Sequence, residues 1–546
     1  MSGGHAWWED AVVYQVYPRS FADSDGDGVG DLPGLRSRLG YLADLGVDAI
    51  WLTPFYPSPL ADGGYDISDY RSVDPLLGTM ADFDGLVKDA AGHQLRVIID
   101  LVPNHCSSAH PLFQAALAAG PGSRERDRFI FRQGRGPGGE LPPNNWSSYF
   151  GGAAWTRVAE DGQWYLHLYD SSQPDWNWRD KDVPALLADV IRFWLDRGTA
   201  GLRVDAAHAL FKDPDLPDVQ AGRPWNGPSP YRHRPELHEL YRSWRQLLDS
   251  YPADGMPGAR TAIGEVWCDT PATLQPYLAP GGLPQVFNFE LVLARWQAAA
   301  FRDAIDRVLA LASGSQAPWV IGNHDVPRAA SRYRLDDGYT PARTAAELIS
   351  LGDQHADRGT RRARAAALLL LALPGSAYIY AGDELGLPEV TGIPAEARRD
   401  PRFSRSRGQL PGRDGCRVPM PWARTGRGYG FSAGAAPAPP WLPPPPDWGR
   451  YSVEAQLDDE DSFLRLYQVA LRLRRDHPAL GRGGLSWRGE PEATGLLCFA
   501  REPGFIFAAN LGPAPQPVPP HRELLLASGP MPDGHLPPDT AVWLSA

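Results

Sequence analysis

Three acids in this chain stand where an apolar run gives way to polar residues: Asp205 closes Gly-Leu-Arg-Val-Asp, Glu265 lies in Ile-Gly-Glu-Val-Trp, and Asp325 follows His324. Cleaving an acetal takes two carboxyl groups, one to attack carbon or activate water and one to protonate the leaving oxygen; a third can bind the sugar. Side chains alternate along a strand, so Arg203 falls on the side of Asp205 while Leu202 and Val204 point the other way. A guanidinium placed there favours the ionised carboxylate and fixes its oxygens, as a carboxylate nucleophile requires. At 203 and 205 alone, an ordinary strand-end ion pair would look the same; several other strand ends carrying chemically capable residues separate the two readings. The apolar neighbours of Glu265 would raise its pKa and keep it a proton donor near neutrality. His105 and His324 could ligate a metal, but their companions Asn104 and Asp325 favour sugar hydroxyls.

A second chemistry is suggested by Asp23-Ser-Asp25-Gly-Asp27-Gly-Val29-Gly-Asp31, with carboxylates at nearly every second position and glycines between them. Such a loop can curl until its oxygens converge on a hard cation, as in the first half of an EF-hand loop, although the distal Glu and flanking helices of that motif are missing. The expectation is one structural Ca2+ or Mg2+ ion tying down the loop after the first strand, against an acidic turn without metal.

These residues need a scaffold that gathers strand ends. Eight short apolar runs, at 12–16, 49–52, 96–101, 202–205, 261–265, 286–289, 319–321 and 377–380, alternate with helical patterns. Runs apolar on both faces fit parallel strands buried between layers, with helices as crossovers. Eight such units predict an α/β chain folded as a (β/α)8 TIM barrel, with a doubly wound open sheet as the alternative. Asn104, His105, Asp205, Glu265, His324 and Asp325 fall at or just after the C-terminal ends of these runs, where a barrel builds its active site. The interval after the third run is too long for one crossover and is rich in Gly, Pro, Asn and Trp. It predicts an inserted subdomain over 106–173, with a strand at 164–168. Helical spacing over 462–476 predicts the last barrel helix, and the proline-rich stretch 435–449 predicts an extended surface path. Short runs separated by turns, at 495–499, 505–509 and 541–544, predict a small C-terminal all-β domain, a β-sandwich over 484–546. The catalytic barrel then takes 1–105 and 174–483.

The 546 residues, 43% of them hydrophobic, are enough for a large core, and a net charge of −12 argues against a nucleic acid or an anionic membrane as partner. Nineteen Trp and 20 Tyr supply amphipathic rings suited to the apolar faces of sugars. Cys106, Cys268, Cys416 and Cys498 are scattered without Cys-x-x-Cys spacing, so free thiols are expected. No basic region followed by an apolar run opens the chain, and no segment approaches the roughly 18 apolar residues of a membrane span. The expectation is a cytoplasmic monomer or homodimer whose partner is a small oligosaccharide.

Taken together, GVDAIWLTP (46–54), DLVPNH (100–105), QPDWNW (173–178), GLRVDAAH (201–208), IGEVW (263–267), VIGNHDVPR (320–328) and GSAYIYAGDELG (375–386) resemble, in order, the short regions of glycoside hydrolase family 13, the α-amylase superfamily. Its α-glucosidase and oligo-1,6-glucosidase-like members are the most similar. The resemblance implies Asp205 as nucleophile, oriented by Arg203, Glu265 as general acid/base, and Asp325 as transition-state stabiliser. It implies that His105 and His324 hydrogen-bond the glucose in subsite −1 and that Tyr65 is its stacking platform. Asp62 resembles the acid that grips the nonreducing 4-hydroxyl together with an arginine, for which Arg417 is the expected partner. The loop at Asp23 resembles the family's metal loop, ligands Asp23, Asp25, Asp27, the Val29 carbonyl and Asp31. The implied activity is that of a retaining, exo-acting α-glucosidase without organic cofactor, acting on short α-1,4 oligosaccharides such as maltose. Ala206, after the nucleophile and expected to face the mouth of subsite +1, favours α-1,4 over α-1,6 bonds. Alternatives are a glucosyl-transferring or isomerising enzyme of the sucrose isomerase or trehalose-forming type, an oligo-1,6-glucosidase, and a noncatalytic carbohydrate-binding relative.

Overall fold

The computed structural model describes residues 6–220, 229–268, 270–311, 317–434 and 437–546; the expectations for residues 1–5, 435 and 436 lie outside these. Eight parallel strands, β1 (Val12–Val16), β2 (Ala49–Leu52), β3 (Arg96–Leu101), β4 (Gly201–Val204), β5 (Thr261–Glu265), β6 (Gln285–Phe287), β7 (Pro318–Val320) and β8 (Ser376–Tyr380), form one sheet. Its order is β7-β8-β1-β2-β3-β4-β5-β6, so the sheet curls round on itself. Across the remaining seam, Asn288 Nδ2 donates to the Pro318 carbonyl at 2.9 Å, completing a nearly closed (β/α)8 barrel. Crossover helices dock apolar stripes on its outer face. The helix Asp182–Asp196 buries Leu187, Val190, Ile191 and Trp194, and the helix Glu236–Asp249 buries Leu237, Leu240, Tyr241, Trp244 and Leu248, both at the three- and four-residue spacing of one helical face.

Strand alternation decides what fills the lumen. Val13, Trp51, Ile98, Ile263, Phe287 and Tyr378 belong to one buried cluster inside it. The same parity, followed two residues toward the C-terminal ends, delivers Gln15, Asp100, Arg203 and Glu265 to the top of the barrel. Register then sets Asp100 directly beside Arg203.

Between β3 and β4 lies a three-stranded antiparallel sheet, with Trp164–Leu166 between Phe131–Arg132 and Trp155–Arg157. This inserted sheet shares its core with the segment after β4. Leu216 joins Ile130, Trp146, Trp155 and Leu166 in one cluster, and Asn144 and Asn145 donate to the carbonyls of Leu216 and Val219 at 3.1 and 2.9 Å. The final barrel helix, Phe463–Asp476, starts where the Ser462 hydroxyl accepts the Arg465 N–H. A five-stranded antiparallel sheet follows, in the order Ser486–Trp487, Leu496–Arg501, Phe505–Asn510, Thr540–Ser545, Glu523–Ala527. It docks on the barrel helix Ala356–Ala372, whose Leu368 carbonyl accepts the Trp543 indole at 3.1 Å.

From 437 to 445 the proline-rich stretch forms neither helix nor strand and lies alongside the acidic loop, but it does not stay extended to 449: it turns at 446–447 and enters the 3-10 helix Trp448–Tyr451. Ala433, Ala438 and Trp441 donate their N–H groups to the carbonyls of Asp23, Gly26 and Gly28. A side chain at Gly28, where φ is +92°, would begin 2.2 Å from the Pro439 carbonyl oxygen, so this approach requires glycine. Among the described residues, no helix is long and apolar enough to cross a membrane.

Candidate active site

One guanidinium organises the top of the barrel. Arg203 Nη1 donates to Asp205 Oδ1 at 2.6 Å and to Asp100 Oδ1 at 2.8 Å, and Nη2 pairs with Glu265 Oε2 at 2.9 Å. Glu265 also accepts the Ala206 N–H at 3.1 Å and the Trp267 indole N–H at 3.0 Å. Its carboxyl therefore does not sit in the apolar setting expected from its neighbours. Alternation points Gly264 and Val266 away and turns Glu265 to the top of the lumen, beside Arg203. Burial raises the Asp205 pKa well above the usual carboxylate range; Arg203 opposes this, and the carboxylates of Glu265, Asp100 and Asp325 add to it. Burial pushes Asp325 the same way, but His324, Arg413 and Arg417 outweigh it and hold that carboxyl well below the usual range. Two aspartates in one cavity are thus driven in opposite directions.

A second guanidinium mirrors the first. Arg413 pairs with Asp62 at 2.6 Å, Asp325 at 3.0 Å and Asp400 at 2.5 Å. The partner of Asp62 is therefore Arg413, and the expectation of Arg417 is corrected. The helical turn Asp414–Cys416 between the two arginines carries Arg417 behind the wall, with its guanidinium 5.5 Å from the centre of the Tyr17 ring. There it donates to Asp325 Oδ1 at 3.0 Å and to the His324 carbonyl at 2.9 Å.

His105 lies with Nδ1 3.2 Å from Asn104 Nδ2 and Nε2 3.2 Å from the Tyr65 carbonyl, and burial lowers its pKa to about 3. His324, expected like His105 to meet the sugar, does not line the cavity that His105 lines. Its Nδ1 is 2.6 Å from Gln15 Nε2 and its Nε2 2.7 Å from the Tyr65 hydroxyl, so both ring nitrogens are engaged by protein. The ring stacks on Tyr65 at 5.3 Å and supports that platform from behind. Ala206, expected at the mouth of subsite +1, is instead buried among Ile130, Trp146 and Ala209 with φ at +46°. Packing of the inserted sheet over β4 covers it.

The resulting cavity, about 320 Å³, is lined by Asp62, Tyr65, His105, Asp205, Glu265, Asp325 and Arg413 together with Tyr149, Phe150, Tyr169, His208, Arg232, Trp267, Tyr339, Arg402 and Leu410. This is the size of a small-ligand site. Arg203, His324 and Arg417 stand behind it. Besides Arg413, the sequence reading did not single out Gln173, which is fully buried. Its Nε2 donates to Asp62 Oδ2 at 3.1 Å and lies 3.0 Å from His105 Nε2, while its Oε1 accepts the Asp170 N–H at 2.8 Å. Its place at the head of QPDWNW was the available signal.

In the acidic loop, Asp23, Asp25 and Asp27 each bring a carboxylate oxygen within 4.8 Å of the others. Among the described residues, no ion pair neutralises the three. Burial raises the Asp27 pKa, with the charges of Asp25 and Asp23 adding to it, a crowding that a cation would relieve. Asp31 stands apart from this group. Its Oδ1 accepts the Gly34 N–H, capping the helix Leu32–Ser37, and its Oδ2 accepts the backbone and hydroxyl of Ser24. A donor set of three carboxylates fits a hard cation.

A barrel with acids gathered at its C-terminal end, an inserted sheet after β3 and a terminal β domain defines a class, and the comparisons agree. The family model "Alpha amylase, catalytic domain" matches residues 15–483, and the chain belongs to that family. It is 36% identical over 489 residues to Maltase 1 of Drosophila virilis, covering 86% of this chain and 72% of that protein. It is also 36% identical over 521 residues to a probable alpha-glucosidase of Rhizobium meliloti, covering 91% and 87%. The crystal structure of the alpha-glucosyl transfer enzyme XgtA superposes with a TM-score of 0.84 at 38% identity over 99% of both chains. The protein is a glycoside hydrolase.

Proposed function

We propose that this glycoside hydrolase is a retaining, exo-acting α-glucosidase that releases α-glucose from the nonreducing ends of short α-1,4-linked gluco-oligosaccharides such as maltose. The observation that carries the reading is the buried Asp62–Arg413 ion pair in the cavity wall. Joined charges there stop a chain from running on past the bound glucose and offer donors and acceptors to a terminal hydroxyl. Asp205, in the carboxylate form that Arg203 favours against burial and its acidic neighbours, attacks the anomeric carbon as Glu265 gives its proton to the leaving oxygen, so the glycosidic bond breaks as the glycosyl ester forms. The Glu265 carboxylate then takes a proton from water, which attacks the same carbon and expels Asp205, and two inversions return the α-anomer. Two carboxyl groups gripped by one guanidinium suit the close pairing of a retaining enzyme, about 5 Å, over the wider gap of an inverting one. Asp325, kept ionised by its arginines, faces the positive charge that develops on the ring.

Asp23, Asp25, Asp27 and the Val29 carbonyl would hold one Ca2+ or Mg2+, with Asp31 bracing the loop through Ser24 and Gly34. The ion would neutralise the crowded carboxylates and take no part in chemistry. The preference for maltose over isomaltose rests on the likeness to Maltase 1, since Ala206 lies outside the cavity lining.

The likeness to XgtA favours a second reading, in which a sugar hydroxyl replaces water and glucose is transferred. Incubation with maltose, isomaltose, sucrose and trehalose tests both. Free glucose should dominate, fastest from maltose. New oligosaccharides exceeding free glucose at low substrate concentration would favour transfer, and no product from any of the four would overturn both.

A further inference from the structure

We propose that His208 contacts the substrate and selects a leaving group that carries a hydroxyl near the scissile oxygen, a sugar or polyol. This deepens the α-glucosidase reading above and rests on it. His208 follows Asp205 by three residues; its imidazole lines the catalytic cavity and is almost wholly buried. Its Nδ1 stands 3.4 Å from the main-chain carbonyl of Glu265, which also accepts the Ala207 N–H at 3.0 Å. A carbonyl only accepts, so Nδ1 carries the proton, and in a neutral ring Nε2 is then an acceptor. Burial keeps the ring neutral, with His233, Arg232 and Lys212 acting in the same direction.

The orientation is fixed from behind. His233 stacks on the ring at 5.5 Å and 26°, and His233 Nδ1 is itself 3.0 Å from the Tyr277 hydroxyl. Among the described residues, no donor meets His208 Nε2. An acceptor in the cavity wall that no protein donor meets is open to a donor from the ligand. Glu265 must touch the leaving oxygen to protonate it, so a ring held on the Glu265 carbonyl belongs to the leaving-group side. An acceptor there gains from an O–H, and a site built to bind a hydroxyl disfavours analogues that lack one.

The test compares kcat/KM for maltose and for 4-nitrophenyl α-glucoside, which present the same glucose but differ in leaving-group hydroxyls, in the wild type, His208→Phe and His208→Gln. Phenylalanine keeps the stacked ring and removes the acceptor, and the maltose to nitrophenyl ratio should fall on the order of tenfold. Glutamine should recover part of it. A purely structural role would lower both substrates equally. Should the Phe variant not fold, maltoses deoxygenated one position at a time on the reducing glucose give the same reading in the wild type, one position losing a similar factor. An unchanged ratio, equal loss on both substrates, or a deoxy series without such a position would overturn the assignment. A wild type inert to both substrates would overturn the α-glucosidase reading and the assignment with it.

Discussion

The wall around Asp62, His105 and Asp325 and the wall around Tyr149, Tyr169 and Tyr339 enclose one cavity but are built differently. In the first, two guanidiniums each hold three acids: Arg203 takes Asp100, Asp205 and Glu265, and Arg413 takes Asp62, Asp325 and Asp400. The second is largely aromatic and comes from the insertion and the long loops. Ion pairs in a buried place fix geometry more than they add stability. On the proposed reading, the contrast separates the wall that would match one invariant ring from the wall that could change with the leaving group.

The largest effect should come from Asp205→Asn. An amide fills nearly the same volume but cannot form the ester, so turnover should drop by several powers of ten while the melting temperature barely moves. Next, Arg413→Ala takes the guanidinium from Asp62 and from Asp400, whose side chain is fully buried, and leaves Asp325 with Arg417 alone. Breaking such a cluster costs about 3–5 kcal/mol, visible in denaturant unfolding, together with a steep loss of kcat/KM. Arg417→Ala should do less on both counts, and the reverse order would break the comparison. Gln173→Ala removes the hydrogen bond to Asp62 together with the contacts to His105 and the Asp170 N–H, and kcat/KM for maltose should fall on the order of tenfold, mostly through KM.

A smaller effect is set by pH. His167, buried just after the inserted strand Trp164–Leu166 with Nε2 2.9 Å from the Thr156 hydroxyl and Nδ1 3.1 Å from the Tyr169 carbonyl, has its pKa lowered by burial from the ordinary 6.5 to about 4, so the folded state binds its proton less readily than the unfolded chain does. The stability it contributes is full above pH 6.5 and is lost as pH falls toward 4. The advantage of wild type over His167→Asn in unfolding free energy should shrink across that window, and a constant advantage would contradict a ring held neutral by burial. Smallest of all, chelation should lower the melting temperature by a few degrees without reducing activity at moderate temperature, since a loop ion acts by mass action on the folded state. Activity lost before stability would place the ion in the chemistry.

What could be read from the sequence follows the same division. Strand ends advertise themselves, because a period of two places Arg203 with Asp205 and Asp100 with Ile98 whatever the loops do. The eight strands, the insertion and the terminal β domain were legible for that reason. Arg413 was not, because a single helical turn decides which of two nearby arginines faces the cavity. The inward turn of His324 depends on Gln15 and the Tyr65 hydroxyl, distant in sequence, and the burial of Ala206 depends on Leu216 and the inserted sheet packing over it. The aromatic wall carries no motif, since many ring arrangements would serve it.

The central claim is retention through a glycosyl–Asp205 intermediate. Proton NMR of 4-nitrophenyl α-glucoside hydrolysis, followed through the first minutes before mutarotation, tests it with only one glucose released per turnover. α-Glucose should appear first, with the β-anomer growing later at the spontaneous rate; β-glucose appearing first would contradict it.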